Sequence, residues 1–530
     1  MDVGIDFGTT FSTLCYSPGS ESEGCVVESE FIYIPTAVGL RSDGSFCIGR
    51  EAIADTSVDL YRDIKRWVGC NKLNERFYKK RLKPTYAVEI RGTTVGIGPV
   101  RGNAKRLIAI VDLIYLFVKG LVQLAFNQTG KEVKLCTCSV PADYNSYKRG
   151  FVYEACKALG IGVQAVVNEP TAAGLSSFVS EDGRKAPWLL VYDFGGGTFD
   201  VSLLAASKGA LCVVDSLGDN YLGGRDVDNA MRTQIAMMLG VNEELIDPFS
   251  MEAIKVRICS ADSKSVHRVL LVNGDIKEIH FSLRDLKLIA EPFVLRARDL
   301  VEKIINRNNA FPLFVVLIGG SCVLPGVRES LTTLNGITGV LFNSSTYRAA
   351  VAIGAALYAQ TFTTEVRYRL LDCVSATLSD EVRPITAVTK IPKGHPVPTT
   401  LISEFTMPNY NTGFVLHEGE HPVIVFNERT FSADVTRQMF VPNKKYQVLI
   451  KVLEDGRFVV TIGDRELLNS LVSADVSPTC KQLKYRSLEE SLGAAKVMLY
   501  MNCWKTYGVM VGETVPVEQR RMLYKPHLRK

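Results

Sequence analysis

No Cys-x-x-Cys pair occurs among the thirteen cysteines of this 530-residue chain, and the six histidines do not gather beside them. That spacing leaves out the usual zinc ribbons and dithiol redox motifs. Cys136-Thr137-Cys138 lies in an apolar, strand-like run, so the thiols read as reduced structural residues rather than disulfides. His417 and His421 flank Glu418-Gly419-Glu420, but no cysteine or further carboxylate is placed to close a ligand set, and the segment reads as an exposed turn. Nor is there a strong charge of one sign. The formal net charge of +5 is small for the length and does not by itself imply a nucleic-acid partner. The basic excess is most visible in Arg520, Arg521, Lys525, Arg529 and Lys530, which read as a solvated tail, with contact to RNA or an anionic surface as the other reading. Long apolar runs free of charge are missing as well. The most apolar helix-like stretch, Leu107 to Phe126, contains Asp112 and Lys119, both costly in lipid, and reads as a buried helix rather than a membrane span. No basic or long apolar region precedes the first strand-like segment, Val3-Gly4-Ile5, so no secretory leader is expected and the cytosol is the expected compartment.

What is present is the composition of an ordinary globular protein, 47% apolar and 22% charged, at a length that calls for two or three domains. Two glycine-rich turns led by aspartate stand far apart: Asp6-Phe7-Gly8-Thr9-Thr10 and Asp193-Phe194-Gly195-Gly196-Gly197-Thr198. Each follows a short apolar run that reads as a strand. Glycines let backbone N–H groups approach phosphate oxygens, threonine hydroxyls add donors, and the leading carboxylates can hold Mg²⁺ through its water shell. One such turn is more often a hairpin; two suggest the halves of a phosphate clamp.

From Met1 to about Gln360, apolar strand-like runs ending in glycine turns alternate with helical patterns, an α/β signature. The two phosphate turns imply an internal duplication, each half carrying a hairpin after its first strand, with a nucleotide between the halves. Residues 361–372 read as a linker. Over 373–475, helical periodicity gives way to short alternating runs separated by turn signals such as Pro408-Asn409, Asn411-Thr412-Gly413, Pro442-Asn443 and Asp455-Gly456, which reads as a β-sandwich. Residues 476–530 read as a short helical remnant, with a helix over Leu488 to Tyr500, followed by the basic tail.

The motifs carry a specific resemblance. In order, the chain holds Asp6 to Thr10, Lys65-Arg66, Val140-Pro141-Ala142, Asn168-Glu169-Pro170-Thr171-Ala172-Ala173, Asp193 to Asp200, Leu222-Gly223-Gly224 and Gly319-Gly320-Ser321. This resembles the heat-shock protein 70 chaperone family, clearly over the first two-thirds and weakly through Leu370-Leu371-Asp372, Ile391-Pro392-Lys393 and Glu418-Gly419-Glu420. The run Leu60 to Cys70, with Val140 to Asn145 and Leu222 to Asp226, is similar to the homologues encoded by closteroviruses, filamentous RNA viruses of plants. The absence of a long helical lid and the short length point the same way, toward the mealybug-transmitted branch.

The resemblance implies a duplicated actin-like (ribonuclease-H-like) ATPase domain, a β-sandwich domain and a short helical C-terminus. It implies Mg²⁺ and ATP or ADP as ligands, with Asp6, Asp193 and Asp200 orienting the hydrated metal. Thr9, Thr10 and Thr198 would contact the phosphates, with Gly8, Phe11, Gly195, Gly196, Gly197 and Gly224 around them. Lys65 matches the catalytic lysine and Glu169 a position that orients water. Glu252 and Lys255 match ribose contacts, and Gly320 and Ser321 the turn beside the base. Where cellular members set arginines against the adenine, this chain has Val256 and Val323; Cys259 and Arg348 also depart. Losing two cation–π stacks weakens binding by about 1–4 kcal/mol. The linker departs too, as Arg367-Tyr368-Arg369 precedes Leu370-Leu371-Asp372, which opens the reading that the β domain is a docking platform rather than a cycling peptide binder. By resemblance the partners are viral coat and movement-related proteins at a particle end, with RNA possible through the basic tail. The sites of action would be host cytoplasm, virion and plasmodesmata. A lidless cellular chaperone, an ATPase-silent virion component and a sugar kinase are the other readings.

Overall fold

In the computed structural model, the described residues are 1–16, 30–178, 188–360, 369–406, 414–426, 441–469 and 476–487, with a few short interruptions. Two sheets repeat one strand order. In the first, Asp2–Asp6 pairs antiparallel with Phe11–Tyr16 and parallel with Leu135–Val140, which pairs parallel with Gly162–Asn168. In the second, Trp188–Phe194 pairs antiparallel with Phe199–Ser207 and parallel with Leu313–Ile318, which pairs parallel with Ile337–Leu341. The first strand of each half is buried along most of its length, as a strand flanked on both sides must be. Each then ends in an aspartate-led glycine turn. The mixed α/β character expected from the sequence is therefore present, and the duplication appears as matching topology.

Two small-residue helices, Glu169–Phe178 and Ala350–Gln360, pack between the sheets. Their backbones touch: a Cβ on Gly354 would run into the Ala172 carbonyl, and one on Gly4 into the Ala352 carbonyl. Only glycine permits so close an approach. Separate cores fill the lobes, one around Trp67, Phe117 and Phe151, the other around Tyr192, Phe199 and Phe281.

The stretch read as a buried helix begins as the short strand Ile108–Ala109 and continues as the helix Ile110–Thr129. By length and composition this helix could cross a membrane, but Leu113, Leu116 and Phe117 are buried in the first core. Its two charges are occupied. Asp112 accepts from the Ser477 N–H at 2.8 Å, and Lys119 donates to the Lys481 and Leu483 carbonyls at 3.1 and 2.8 Å.

Beyond residue 368 come two four-stranded antiparallel sheets. Leu378–Val382, Thr386–Ile391, Phe414–Glu418 and His421–Phe426 form one; Thr399–Thr406, Lys445–Val452, Phe458–Ile462 and Arg465–Asn469 form the other. Val448, Ile450 and Val452 alternate inward with period two and share a core with Leu378, Ile391 and Leu416 of the other sheet. The Pro408-Asn409, Asn411-Thr412-Gly413 and Asp455-Gly456 turns lie outside the described residues.

Several contacts join this β unit to the lobes, among them a Lys393 Nζ bond to the Ser216 carbonyl at 3.2 Å. Arg369–Leu371 adds a parallel strand to the edge of the second sheet, pairing with Ala210 to Cys212. Asp372 then accepts from the Asn168 N–H and Nδ2 at 2.8 and 2.6 Å. The Glu418 segment corrects the sequence reading: it is not an exposed turn, because Glu418 is buried and its carboxylate accepts from the N–H and hydroxyl of Ser146, both at 2.7 Å. Ser146 opens the helix Ser146–Ala158, whose positive end favours a carboxylate.

The described part of the last region departs from a simple helical remnant. Residues 476–486 return to the first lobe, where Pro478–Gln482 forms one short helix and Lys484–Tyr485 pairs parallel with Ser45 and Phe46. Val476 and Cys480 enter the first core. Arg486 seals the end, its N–H on the Phe46 carbonyl and its own carbonyl accepting from Arg41. The Leu488 to Tyr500 helix and the basic tail lie outside the described residues.

Candidate functional site

The two glycine turns face each other across the cleft between the lobes. In the first, Ser12 Oγ accepts from the Gly8 N–H at 3.1 Å and Thr36 Oγ1 donates to the Gly8 carbonyl at 2.8 Å, which fixes the backbone. In the second, the Gly195 carbonyl accepts from the Gly224 N–H at 3.0 Å and from Ser321 Oγ at 2.9 Å. The turns touch: a Cβ on Gly196 would collide with Thr10, and one on Gly197 would come 2.7 Å from Thr9 Cγ2. Thr10 Oγ1 is buried and makes no hydrogen bond, the state of a donor waiting for an oxygen.

Between the turns lies a cleft of about 450 Å³, within the usual range for small-molecule sites. Of the residues expected at the site, Asp6, Gly8, Thr9, Thr10, Phe11 and Lys65 line it from the first lobe, with Glu169. From the second come Asp193, Gly195, Gly196, Thr198, Glu252, Lys255, Gly320 and Ser321. Asp200, Gly197 and Gly224 are not among its walls and stand behind them.

The floor is electrostatically one-sided. Lys65 is buried and its Nζ lies 2.6 Å from Glu169 Oε1. Asp6, Asp193 and Asp200 are close enough to feel the same lysine. Burial first, and the Glu169 charge second, push the Asp6 carboxyl up to about 7. Burial likewise drives Asp193 well above the carboxylate range, as it does Asp200, where the Asp143 charge comes next. Asp200 Oδ1 is buried without a hydrogen-bond partner. Four carboxylates facing one ammonium form an oxygen-rich, over-negative set that fits a hard divalent cation; Mg²⁺ suits it.

At the other end of the cleft the lining residues carry ion pairs. Lys255 bonds the Gly224 carbonyl and Asp228 Oδ1, both at 2.8 Å, and Glu252 accepts from Arg62 at 3.2 Å. Both residues thus meet the cleft as members of an ionic network between the lobes, which Arg225 and Asp63 extend at 2.9 Å. Val256 lines the cleft and is 46% exposed, whereas Val323 packs against the second core. Arg348 lines the same end, 5.0 Å from the Tyr347 ring and 5.9 Å from the Tyr33 ring. Tyr33 in turn stacks on Phe11 at 4.7 Å.

This arrangement can be set beside known proteins. The family described as Hsp70 protein matches residues 2–420. The chain belongs to the Hsp70 family. The Movement protein Hsp70h of Grapevine leafroll-associated virus 3 is 34% identical over 508 residues, covering 94% of this chain and 92% of that protein. The protein of the same name from Beet yellows virus is 33% identical over 457 residues, 82% of this chain and 75% of its own length. A cellular relative, the chaperone protein DnaK of Thermus thermophilus, is 27% identical over 454 residues, 80% of this chain and 72% of its own. The resemblance to the closterovirus Hsp70 homologues thus extends over most of the chain, and the family is one of ATP-hydrolysing chaperones that bind ATP and ADP with Mg²⁺.

In this Hsp70 homologue the sequence reading missed Tyr33, Arg50, Arg62, Arg225, Asp228 and Tyr347, all of which line the cleft. The partners of Tyr33, Arg62, Arg225 and Asp228 are remote in sequence, so no local pattern marks these four. The crowded carboxylates predict a pH dependence. Asp6 ionises near 3.9 when unfolded and at about 7 when folded, so the folded state holds the extra proton between these values. Stability contributed by this group therefore falls as pH rises through that window. The melting temperature of the ligand-free protein should drop between pH 5 and pH 8. Asp6→Asn should flatten the drop in a thermal melt, and an equally steep drop in that variant would assign it elsewhere.

Proposed function

We propose that this protein binds Mg·ATP in the interlobe cleft, hydrolyses it slowly, and uses the resulting rearrangement in filamentous virion assembly and cell-to-cell movement. The observation that carries the reading is the set of Asp6, Glu169, Asp193 and Asp200 around the buried Lys65. Asp6 and Asp193 would hold the metal largely through its water, with Asp200 behind. When bound, Mg²⁺ supplies charge neutralisation at the phosphates, the main need of phosphoryl transfer. Thr9, Thr10 and Thr198 donate hydroxyls to phosphate oxygens, and Gly8, Gly195 and Gly196 offer unobstructed backbone. Lys65, pinned by Glu169, positions the attacking water and offsets charge developing on the γ-phosphoryl oxygens. Glu252, Lys255, Gly320 and Ser321 bound the nucleoside end with Arg348 and Tyr347.

Titration calorimetry of Mg·ATP into the full chain tests the binding half. Saturable binding that Asp193→Ala weakens by at least about tenfold is expected; no binding at millimolar nucleotide would leave the ATPase-silent virion component as the better reading. Viral coat and movement-related proteins at one particle end are the proposed partners, host cytoplasm, virion and plasmodesmata the proposed sites of action. Two features support a fixed docking role for the β unit, the docked linker strand and the returning segment 476–486. Immunogold labelling of purified virions checks the placement, and absence of label along the whole particle would count against it.

A further inference from the structure

A second cavity of about 620 Å³ opens between the lobes and shares Arg62, Arg225 and Asp228 with the nucleotide cleft. Its basic residues fall into two groups. Arg62, Arg66, Arg225 and Arg232 are held by Glu252, Asp226, Asp63 and Glu243 at 3.2, 3.5, 2.9 and 3.0 Å, and Arg101 by the Ala52, Ile53 and Asp55 carbonyls. Arg81 and Lys83, on the rim, have no carboxylate partner within salt-bridge distance among the described residues. The Arg81 guanidinium lies over the Phe77 and Tyr221 rings at 5.8 and 5.5 Å. Deeper in the wall, the Arg66 side chain is 9% exposed and its Nε makes no hydrogen bond.

The rim helix Glu75–Leu82 explains the imbalance. Asn74 to Lys83 contains Arg76, Lys79, Lys80, Arg81 and Lys83 against Glu75 alone, and Glu75 is already shared by Lys72 and Lys79 at 2.6 Å each. Apolar residues stand among these cations where a core would hide them: Phe77 is 50% exposed and Leu73 98% exposed. Interleaved cations and an exposed aromatic ring beside a cavity match what an unpaired polynucleotide strand needs, phosphate neutralisation along the backbone and a face on which a base can stack. Duplex RNA offers the phosphates but keeps its bases stacked away from Phe77.

We propose that the rim formed by residues 77–83 binds single-stranded RNA, with phosphates on Lys80, Arg81 and Lys83 and a base on Phe77. The proposal goes beyond the nucleotide reading and does not depend on it. It places RNA contact on the first lobe, where the sequence had suggested only the terminal basic residues. Fluorescence anisotropy of a labelled 12-nucleotide RNA with the full-length protein, at 50 to 200 mM KCl, tests it. Lys80→Ala/Arg81→Ala/Lys83→Ala should weaken binding at least about tenfold. It should also reduce the slope of log affinity against log salt by about 2, at roughly 0.7 per phosphate contact. Phe77→Ala should lower affinity about five- to 150-fold at unchanged slope, the range for one stacked base. Lys80→Ala/Lys83→Ala leaves the Arg81 stack intact and should still shrink the slope. Lys445→Ala/Lys451→Ala, on the β unit, should change nothing. Unchanged RNA binding in the rim variants would overturn the proposal and move the contact elsewhere, and displacement of RNA by an equal concentration of a glutamate 12-mer would replace RNA with an acidic polypeptide as the ligand.

Discussion

Lys65→Ala is expected to slow ATP turnover by about 10²–10³-fold, the usual loss when one donor aimed at developing charge is removed, while Mg·ATP affinity changes less than about tenfold. The asymmetry follows from position. Lys65 is buried and lies against Glu169 at 2.6 Å, whereas the two glycine turns proposed to hold the phosphates belong to other segments. Stability should suffer as well. Removing the ammonium strands Glu169 beside Asp6 and Asp193, and breaking a buried ion pair on one side costs about 3–5 kcal/mol. Lys65→Ala/Glu169→Gln should recover most of the melting temperature but none of the turnover. Single-turnover rates and thermal melts of the three proteins separate the effects, and a Lys65→Ala rate within threefold of the parent would remove Lys65 from the chemistry.

The second large effect is expected at the linker. The Asp372 carboxylate accepts from the Asn168 N–H and Nδ2, from Thr171 Oγ1 at 3.3 Å and from the Cys373 N–H at 2.9 Å. Burial raises its pKa, with Arg149 opposing. Asp372→Ala leaves these buried donors unmet at a cost of about 3–5 kcal/mol, taking roughly 1–3 for each unsatisfied group and allowing for relaxation. The strand Arg369–Leu371 should then leave the sheet edge, and trypsin should cut near Arg369 at least about tenfold faster. Because Asn168 directly precedes Glu169, turnover should fall in the same variant. Cleavage and turnover both at parental rates would mean that the carboxylate does not hold the linker. Adding Mg·ATP to the parent asks a related question: a shift in cleavage rate would reveal nucleotide coupling, and no shift favours the β unit as a fixed platform.

The parts of this molecule legible in its sequence are those whose chemistry is contiguous. A phosphate turn needs its aspartate, glycines and threonines within a few residues, so Asp6 to Thr10 and Asp193 to Thr198 stand out unaided. Lys65 was readable only through the motifs around it, since a lone lysine has a surface explanation. Arg62, Arg225 and Asp228 were not readable, because each acquires meaning from a partner more than twenty residues away. The returning segment was hidden for a similar reason, although one signal was present. Asp112 and Lys119 in a helix otherwise apolar had to be satisfied by something, and Ser477, Lys481 and Leu483 are what satisfies them. Glu418, flanked by turn residues, gave no sign that a helix end awaited it.

The return of residues 476–486 to the first lobe also determines how the molecule carries mechanical load. The eight strands of the β unit form a loop tethered at both ends, by Arg369–Leu371 at one edge and by Lys484–Tyr485 at the other. Tension applied to the chain beyond Arg486 is delivered to the first lobe through Ser45 and Phe46, without straining those strands.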